Sequence, residues 1–397
     1  MIPTLYLTRN GLLEPLGQSQ VIAYLRGLAR DYRITLITYE KDEDWADTAR
    51  IAAARAECEQ LGIRWLPQRF LPRPKVLAPA LSMLRMIWLT RREVRRQGVQ
   101  MIHARSYIPA AVALVVGRMT NVPFIFDMRA LWPEELITAG RLRRGSLLHR
   151  AIVSAERTCL KRAAGVVSLT HAAAKYLKTI YPAELDSQRI AIIPTCADLD
   201  RFTPAASTPE NSVIGCLGTV LSGWFRMDWL VSFLTTVAEN NPEIQFELTT
   251  RDDADQVRKA LGRQLADQVA ISSSPSDQVQ DVLRRQTASV MFYAGGETSE
   301  LGRSPTRMAE ILGCGLPVVA NDGVGDVAEI IREHRVGVLA TGSSKQEMNN
   351  AWRELQGLLL DPDLAQRCRA TAERLFSLDA GTEAYRKLYA DILRKAA

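Results

Sequence analysis

The sequence predicts an α/β fold with two Rossmann-like domains, each a doubly wound parallel sheet with helices on both faces. Apolar runs of about four to seven residues, rich in β-branched side chains, alternate with longer segments of helical period. This alternation occurs twice, and a Pro-, Ser- and Thr-rich segment without an apolar face, residues 201–212, separates the two series. The length of 397 residues fits two or three domains.

Residues 1–200 form the predicted first domain. Its strands are the apolar runs that turn-forming residues interrupt, and its helices are the segments with an apolar stripe. The expected strands are Thr4–Leu7, Arg33–Tyr39, Met101–His103, Phe124–Asp127, Gly165–Leu169 and Ile190–Ile193. The expected helices are Gln20–Arg30, Asp47–Leu61, Leu81–Gln97, Ala110–Met119, Ser146–Ala163 and Ala172–Ile180.

Residues 213–378 form the predicted second domain, by the same criteria. Its expected strands are Val213–Cys216, Glu243–Thr249, Gln268–Ile271, Ala288–Phe292 and Pro317–Ala320. Its expected helices are Asp228–Asn240, Asp253–Leu265, Gln278–Gln286, Thr306–Gly313 and Val324–Glu333. A last helix, Asp379–Lys395 within residues 379–397, is expected to cross back to the first domain, and the alternative is that it caps the second.

Composition excludes several protein classes. A hydrophobic fraction of 47 % and ordinary Gly and Pro counts exclude a disordered chain. The six cysteines are single and none forms a C-x-x-C pair, so we expect free thiols, no zinc site and a reducing compartment. The longest apolar stretch, Ile108–Gly117, is about half of a membrane span. No secretory leader opens the sequence, and we therefore expect a cytoplasmic protein.

Positive charge is concentrated in the first half. Residues 1–200 hold 29 Lys and Arg against 18 Asp and Glu, and residues 201–397 hold 21 against 26. Two arginine clusters lie in the first half, one on the helix Leu81–Gln97 and one at Arg141, Arg143, Arg144 and Arg150. Peripheral contact with an anionic membrane at the inner face of the plasma membrane is one interpretation. A solvated helix face is the other, whereas nucleic acid is disfavoured because no aromatic residues are interleaved.

Ligands of open parallel sheets bind at the carboxyl ends of the strands, so the loops after strands matter most. Gly17 lies in the first such loop, where it permits a close backbone approach to a ligand or only opens a helix. The loop lacks the G-x-G-x-x-G pattern, which disfavours a nicotinamide dinucleotide. After the strand Phe124–Asp127, Asp127 and Arg129 form either a functional site or a structural ion pair. His103 ends the preceding strand and is a further candidate, with a structural histidine as the alternative.

The segment Tyr293–Ala320 carries the strongest pattern. Ser304 is a good N-cap, Pro305 suits a first helical position, and the amides of Thr306 and Arg307 then face whatever lies beyond the helix start. The helix dipole, Arg303 and Arg307 add positive potential, which predicts a phosphate or diphosphate site. Glu310 lies on the same helical face and suits the two hydroxyls of a ribose. A surface pair between Glu310 and Arg307 is the alternative.

The next loop, Asn321–Asp326, has two glycines and an acid beside the strand Pro317–Ala320. This composition is typical of a close backbone approach to a sugar or a phosphate.

Four segments together resemble the GT-B glycosyltransferases of family 4. They are Gly17-Gln-Ser-Gln, Asp127-Met-Arg-x-x-Trp, the segment from Ile193 to Phe202, and Ser304-Pro-Thr-Arg-x-x-Glu310 followed by Gly315-Leu-Pro-Val-Val-Ala. The resemblance covers nearly the whole chain and includes a subgroup with a Ser-Pro-Thr-Lys or Ser-Pro-Thr-Arg form. It implies two domains facing a cleft, a UDP- or GDP-sugar donor on the second, an acceptor on the first, no metal or other cofactor, and retention of anomeric configuration.

The resemblance also implies roles for single residues. Glu310 would hold the ribose, the amides of Thr306 and Arg307 would meet the diphosphate, and Gly17 would lie against it. The loop Ser272–Gln278 would frame the base, with Arg251 near it. Asp127, Arg129 and His103 would position the acceptor or the sugar.

Two departures from the family pattern stand out. The second acid that the family places eight residues before Glu310 is Gly302 here, so Glu300 or Glu297 is expected to substitute. The family's Arg and Lys after the first strand of the second domain are replaced by one cation, Arg226, in the loop that begins at Gly218. We expect Arg226 and Arg303 to share the neutralisation of the diphosphate.

The function predicted from the sequence is a metal-independent retaining hexosyltransferase. Its expected acceptor is a glycan, a lipid-linked glycan or a small molecule, in the synthesis of a cell-envelope polysaccharide or glycoconjugate. A nucleotide-sugar epimerase on the same architecture and a degenerate binding or scaffold protein are the alternatives. The sequence leaves open the sugar, the base, the linkage and the oligomeric state.

Overall fold

A computed structural model describes residues 1–70, 78–186, 188–206 and 211–396. The chain divides into two compact units. The first comprises Met1–Pro194 and Gly381–Ala397, and the second comprises Thr195–Ala380. Each unit contains one fully parallel sheet, which confirms the predicted α/β architecture.

The first unit is built on a seven-stranded sheet with the order β3-β2-β1-β4-β5-β6-β7. Chain order reverses between β1 and β4, which are hydrogen-bonded neighbours. The strands are β1 (Ile2–Leu7), β2 (Tyr32–Glu40), β3 (Arg64–Arg69), β4 (Met101–Arg105), β5 (Phe124–Asp127), β6 (Gly165–Ser168) and β7 (Ile190–Ile192).

Helices connect these strands in the right order for a doubly wound sheet. They are α1 (Pro15–Gly17), a π-helical turn (Gln18–Ile22), α2 (Ala23–Leu28), α3 (Asp42–Ala46), α4 (Thr48–Gln60), α5 (Ala78–Gln97), α6 (Tyr107–Thr120), α7 (Trp132–Thr138), α8 (Leu147–Arg162), α9 (His171–Ile180) and α10 (Pro182–Leu185).

The second unit is built on a six-stranded sheet with the order β10-β9-β8-β11-β12-β13. Its strands are β8 (Val213–Leu217), β9 (Gln245–Thr249), β10 (Val269–Ser272), β11 (Ala288–Met291), β12 (Val318–Asn321) and β13 (Gly337–Ala340). Its helices are α11 (Met227–Asn240), α12 (Ala254–Leu261), α13 (Arg263–Ala266), α14 (Val279–Leu283), a 3₁₀ turn (Thr298–Gly302), α15 (Thr306–Gly313), α16 (Val327–His334), α17 (Lys345–Leu359) and α18 (Leu364–Phe376).

The sequence prediction missed several elements. It took α7 for a loop and omitted β3, β13, α17 and α18. Pro67 lies within β3, and proline is tolerated there because β3 is an edge strand. The predicted helix Asp253–Leu265 is two helices, since Gly262 has φ +76° and ends α12.

The last helix, α19 (Leu378–Ala396), joins the two units in sequence, and residues from Gly381 onward belong to the first unit. Its Tyr385 and Tyr389 are 2 % and 1 % exposed. Leu388 and Ile392 lie so close to Gly165 of β6 that a side chain at Gly165 would come within 2.9 Å of Leu388. The close packing of α19 on the first sheet depends on this glycine.

The boundary between the units falls earlier than the predicted linker, residues 201–212, of which 207–210 lie outside the described residues. Leu199 and Phe202 are buried in a core of the second unit with Met308 and Leu312 of α15. Arg369 of α18 donates to the carbonyl oxygens of Leu199 and Gly313, at 2.9 and 3.1 Å. This segment therefore belongs to the second unit.

All six cysteines are buried and free, as predicted. Within the described ranges, no helix is long and apolar enough to cross a bilayer.

Candidate functional site

The candidate site of the second unit lies where its sheet reverses chain order. Strands β8 and β11 are neighbours there, and their connections leave in opposite directions. In open parallel sheets, this switch point is the usual ligand crevice at the carboxyl ends of the strands. The loop that begins at Gly218 follows β8, and the loop that leads into α15 follows β11.

Helix α15 begins at Thr306, as predicted, but its N-cap is Pro305. The predicted N-cap role of Ser304 is wrong, because its side-chain oxygen accepts a hydrogen bond from the amide of Thr195 at 3.1 Å. The amides of Thr306 and Arg307 are the first two of the helix, and such amides have no carbonyl one turn earlier to bond. The helix start therefore keeps donors and a positive dipole end for an anion.

Arg307 places its guanidinium at the switch point. Its Nη2 donates to the carbonyl oxygen of Thr219 at 3.0 Å, and the ring of Tyr293 lies 5.7 Å from its central carbon. Its Nη1 is buried, and no described atom accepts a hydrogen bond from it. A buried guanidinium N–H without an acceptor is costly, so this atom is ready to donate to an anionic ligand.

Glu310 lies one turn further along α15. Burial raises the pKa of its carboxyl group to about 7, although the charges of Arg201 and Arg307 act to lower it. A carboxylate accepts two hydroxyl donors, whereas its protonated form accepts less well. A carboxyl group with this pKa beside two cations is typical of a functional site.

Arg303 and Glu300 form a bidentate salt bridge. Arg303 Nη2 lies 2.8 Å from Glu300 Oε1, and Nε donates to the other carboxylate oxygen. Glu300 is fully buried in the 3₁₀ turn, and the side chain of Arg303 is 24 % exposed over the ring of Trp224 at 5.1 Å. In the described structure, Glu300 thus positions Arg303, and its expected role as the substitute for the missing acid at Gly302 stays a prediction.

The loop after β8 is held by Asp252, which the sequence prediction missed. Its Oδ2 accepts hydrogen bonds from the amides of Val220 and Leu221, at 2.6 and 3.0 Å. Burial acts to raise the pKa of Asp252, but these hydrogen bonds, a third from the hydroxyl of Thr250 and the charge of Arg307 together outweigh it, and the net shift is downward. An acid three residues beyond the end of β9 could have been recognised as a loop anchor, since it follows the neighbouring strand.

Arg226, Arg251 and the loop Asn321–Asp326 are the other predicted parts of the donor site, and each has different contacts. Arg226 pairs with Asp228 at 2.7 Å on the surface. Arg251 is exposed just after β9. The loop Asn321–Asp326 is fixed to the loop after β11, because Asn321 Oδ1 accepts from the amide of Tyr293 at 2.8 Å. In this loop, Gly323 has φ +81° and packs against the backbone of Gly296. The backbone conformation and this contact within the protein therefore account for the glycine.

In the first unit, the predicted residues His103, Asp127 and Arg129 come together in a buried cluster. His103 Nε2 lies 3.2 Å from Asp127 Oδ2, and its Nδ1 lies 2.7 Å from the hydroxyl of Tyr389. Tyr385 donates to Asp127 Oδ2 at 2.8 Å. The cluster therefore ties helix α19 to β4 and β5, and a role for these residues toward an acceptor stays a prediction.

Gly17 lies in a loop that Glu40 organises. Glu40, buried at the end of β2, accepts hydrogen bonds from the amides of Leu12 and Leu13, at 2.8 and 3.3 Å. A side chain at Gly17 would approach the carbonyl oxygen of Gly11 to 2.1 Å. Tight packing of the loop thus accounts for the glycine, and its contact with a diphosphate stays a prediction.

Across the described ranges, no three His, Cys, Asp or Glu side chains are grouped so that they could hold a metal ion.

Gly218 has φ +91°, and a side-chain carbon added at this position would lie only 2.4 Å from the guanidinium of Arg307. Gly218→Ala should destabilise the second unit by about 1–3 kcal/mol, because the alanine is strained and displaces the guanidinium. Gly223→Ala in the same loop has no atom within 4 Å of the added carbon and should change stability by under about 0.5 kcal/mol. Urea unfolding of both variants measures the difference, and equal stabilities would contradict the assigned geometry.

Two known protein families match the sequence, one in each half of the chain. Glycosyltransferase Family 4 matches residues 17–201, and Glycosyl transferases group 1 matches residues 211–357. The first match covers most of the first unit and the first seven residues of the second, the other match lies within the second unit, and together they span most of the chain. No curated protein matches the sequence.

Several solved structures share the fold. A sucrose-phosphate synthase from Thermosynechococcus elongatus is 14 % identical, covers 100 % of both chains and has a TM-score of 0.71. A glycosyltransferase from Rickettsia africae is 16 % identical, covers 99 % of both chains and has a TM-score of 0.71. Anabaena HepE, in complex with UDP-glucose, is 17 % identical, covers 98 % of this chain and 100 % of its own, and has a TM-score of 0.66. The chain thus belongs to the family 4 glycosyltransferases with the GT-B fold.

Proposed function

We propose that this glycosyltransferase moves a sugar from a UDP- or GDP-sugar to an acceptor, with retention of anomeric configuration and without a metal ion. The observation that carries the proposal is the start of α15 at the switch point of the second sheet. A buried, unpaired N–H of Arg307, two helix-start amides and the carboxyl group of Glu310 lie within five residues of one another there.

The arrangement suits a nucleoside diphosphate in one orientation. The amides of Thr306 and Arg307 and the free N–H of Arg307 would hold the diphosphate, because all three donate and lie at a positive helix end. Glu310 lies three residues further on and would accept the two ribose hydroxyls. The UDP-glucose bound by the structurally similar HepE supports a donor of this class.

The chemistry asks chiefly for electrostatic stabilisation. The bond between the anomeric carbon and the diphosphate oxygen breaks, so negative charge grows on the departing phosphate and positive charge on the sugar ring. Fixed donors around that phosphate stabilise the transition state, and the loss of one such donor costs about 10²–10³-fold in rate. Arg307 and the helix start provide this stabilisation without a divalent cation.

Retention follows if the acceptor hydroxyl attacks from the face that the diphosphate leaves. The leaving phosphate oxygen then takes the proton of that hydroxyl, and no enzyme nucleophile is required. The bidentate salt bridge of Glu300 with Arg303 supports this route, because both oxygens of this buried carboxylate are already engaged.

We further propose that the first unit docks on an anionic membrane, where a lipid-linked acceptor for cell-envelope synthesis would lie. Leu147 and Leu148 at the start of α8 are 84 % and 62 % exposed, beside the exposed Arg143 and Arg150. Helix α5 exposes Leu84 and Trp88 to a similar degree, and both helices pack on α6. Exposed apolar side chains among arginines are typical of an interfacial surface. The side chain of Leu81 lies outside the described residues.

Two other functions use the same donor site. An epimerase would convert the nucleotide sugar without an acceptor, and a scaffold would bind it without turnover. Release of the nucleoside diphosphate only when acceptor is added distinguishes the transferase from both.

Nucleotide binding is the direct test. In buffer with EDTA, UDP or GDP should raise the melting temperature selectively, because a ligand of the folded state stabilises it. Arg307→Gln should weaken the affinity at least about tenfold, since a hydrogen bond from a charged group contributes about 1.5–3 kcal/mol. Arg353→Gln, which removes an exposed arginine of the same unit, should bind like the unaltered protein. Absence of any nucleotide shift, or a shift only with a divalent cation, would contradict the proposal.

The pH dependence tests Glu310. Because its raised pKa is about 7, the carboxylate is present above pH 7 and is lost as the pH falls through 7. About nine-tenths of the molecules carry it at pH 8 and about one-tenth at pH 6. Nucleotide affinity should therefore fall up to about tenfold from pH 8 to pH 6, measured by isothermal titration calorimetry. Glu310→Gln should bind weakly at both values, and an unchanged pH profile in this variant would exclude Glu310 from the ribose site.

Membrane docking is tested by vesicle co-sedimentation. The protein should bind vesicles of phosphatidylglycerol and phosphatidylcholine at low salt, and the double variant Leu147→Ser, Leu148→Ser should bind at least about tenfold less. Leu360→Ser removes a leucine that is 84 % exposed on the second unit and should not change binding. Equal binding by all three proteins, or none by the unaltered one, would refute this surface.

A further inference from the structure

The buried cluster of the first unit contains more positive than negative charge. Arg105 Nη1 lies 3.9 Å from Asp127 Oδ2, and Arg129 Nη1 lies 3.7 Å from Asp127 Oδ1. The side chains of Arg105 and Arg129, which we call the arginine pair, are 6 % and 10 % exposed. Among the described residues, Asp127 is the one carboxylate within ion-pair distance of either guanidinium.

The other titratable groups of the cluster are neutral. Burial lowers the pKa of His103, and it raises the pKa of Tyr6 to about 12 and those of Tyr385 and Tyr389 well above 10. Burial also acts to raise the pKa of Asp127, but Arg129, His103 and Arg105 outweigh it and lower the pKa to about 2. Two cations therefore face one anion, and one positive charge stays uncompensated inside the unit.

Three buried polar atoms of the same cluster have no hydrogen-bond partner among the described residues. Arg105 Nη1, Arg129 Nε and Asp127 Oδ1 are buried, and no described atom completes a hydrogen bond to any of them. A buried guanidinium N–H without an acceptor is costly, because this group has lost water without gaining a partner. Two unused donors and one unused acceptor flank a single carboxylate.

The position and the backbone also indicate a ligand site. Arg105 ends β4, which neighbours β1 where the first sheet reverses chain order, and Asp127 ends β5, the next strand of the sheet. Ser106 and Arg129 have φ of +75° and +62°, which L-residues rarely adopt. Such strain costs about 1–3 kcal/mol per residue and is concentrated at functional sites.

We propose that the arginine pair binds an acidic group of the acceptor, a phosphate or a carboxylate, while Asp127 Oδ1 accepts a hydroxyl beside it. The acceptor is thus an acidic sugar or a sugar phosphate rather than a neutral glycan. The two guanidiniums supply donors, the acidic group supplies the missing negative charge, and Asp127 supplies the acceptor that a neighbouring hydroxyl needs. This proposal rests on the proposed transferase function, since it names the class of acceptor.

Isothermal titration of the full chain tests the proposal, with glucose 6-phosphate, glucuronate and glucose as probes. Titrations are run with and without the nucleotide that gives the larger thermal shift. At least one acidic probe should bind tenfold or more tightly than glucose, and its affinity should fall as salt is raised. Comparison of the two acidic probes separates a phosphate site from a carboxylate site. If neither acidic probe binds better than glucose, the proposal is wrong.

Variants locate the binding. Arg105→Gln should weaken binding of the acidic probe at least tenfold, and Arg105→Lys should recover part of it. Arg30→Gln, which removes an exposed arginine of the same unit, should bind the probe like the unaltered protein. Equal affinity in Arg105→Gln would overturn the proposal, and the comparison of probes on the unaltered protein decides it if this variant does not fold. Nucleotide binding without acidic-probe binding refutes this inference alone, and the reverse result refutes the donor site alone.

Discussion

The placement of Arg307 at the switch point of the second sheet is the constraint on which the candidate donor site depends. The guanidinium reaches the carbonyl oxygen of Thr219 because Gly218 has no side chain. The amides after Gly218 are in turn held by Asp252. One N–H of Arg307 stays buried without an acceptor, beside a helix start that also favours an anion. Three segments that are distant in sequence thus cooperate to keep one donor unused.

The two units share a parallel-sheet topology, but the charges at their switch points are arranged differently. In the second unit, the unpaired cation stands at a helix start, with a carboxyl group of raised pKa one turn away, an arrangement suited to a diphosphate and a ribose. In the first unit, the charges are buried among neutral tyrosines, and helix α19 supplies two of the hydroxyl groups. The C-terminal helix therefore completes the first unit chemically as well as by packing.

Much of this could be predicted from sequence, because β-strand and helix periodicity is local. The parallel sheets, the start of α15 at Thr306 and the place of Arg307 and Glu310 on one helix follow from it. Contacts between distant segments could not be predicted. The amide of Thr195 donates to the side-chain oxygen of Ser304, which does not cap α15 as expected, and the pairing of Glu300 with Arg303 depends on the 3₁₀ turn. Gly17 and Gly323 pack against other backbone segments. From sequence alone, such glycines cannot be distinguished from glycines that leave space for a ligand.

A crystal structure of the protein with UDP or GDP, grown in EDTA, would show directly whether the start of α15 holds the nucleotide. We expect the diphosphate oxygens to accept hydrogen bonds from the Thr306 and Arg307 amides and from Arg307 Nη1, and both ribose hydroxyls to donate to the Glu310 carboxylate. A nucleotide bound away from the start of α15, or one whose ribose leaves Glu310 without a contact, would contradict this expectation.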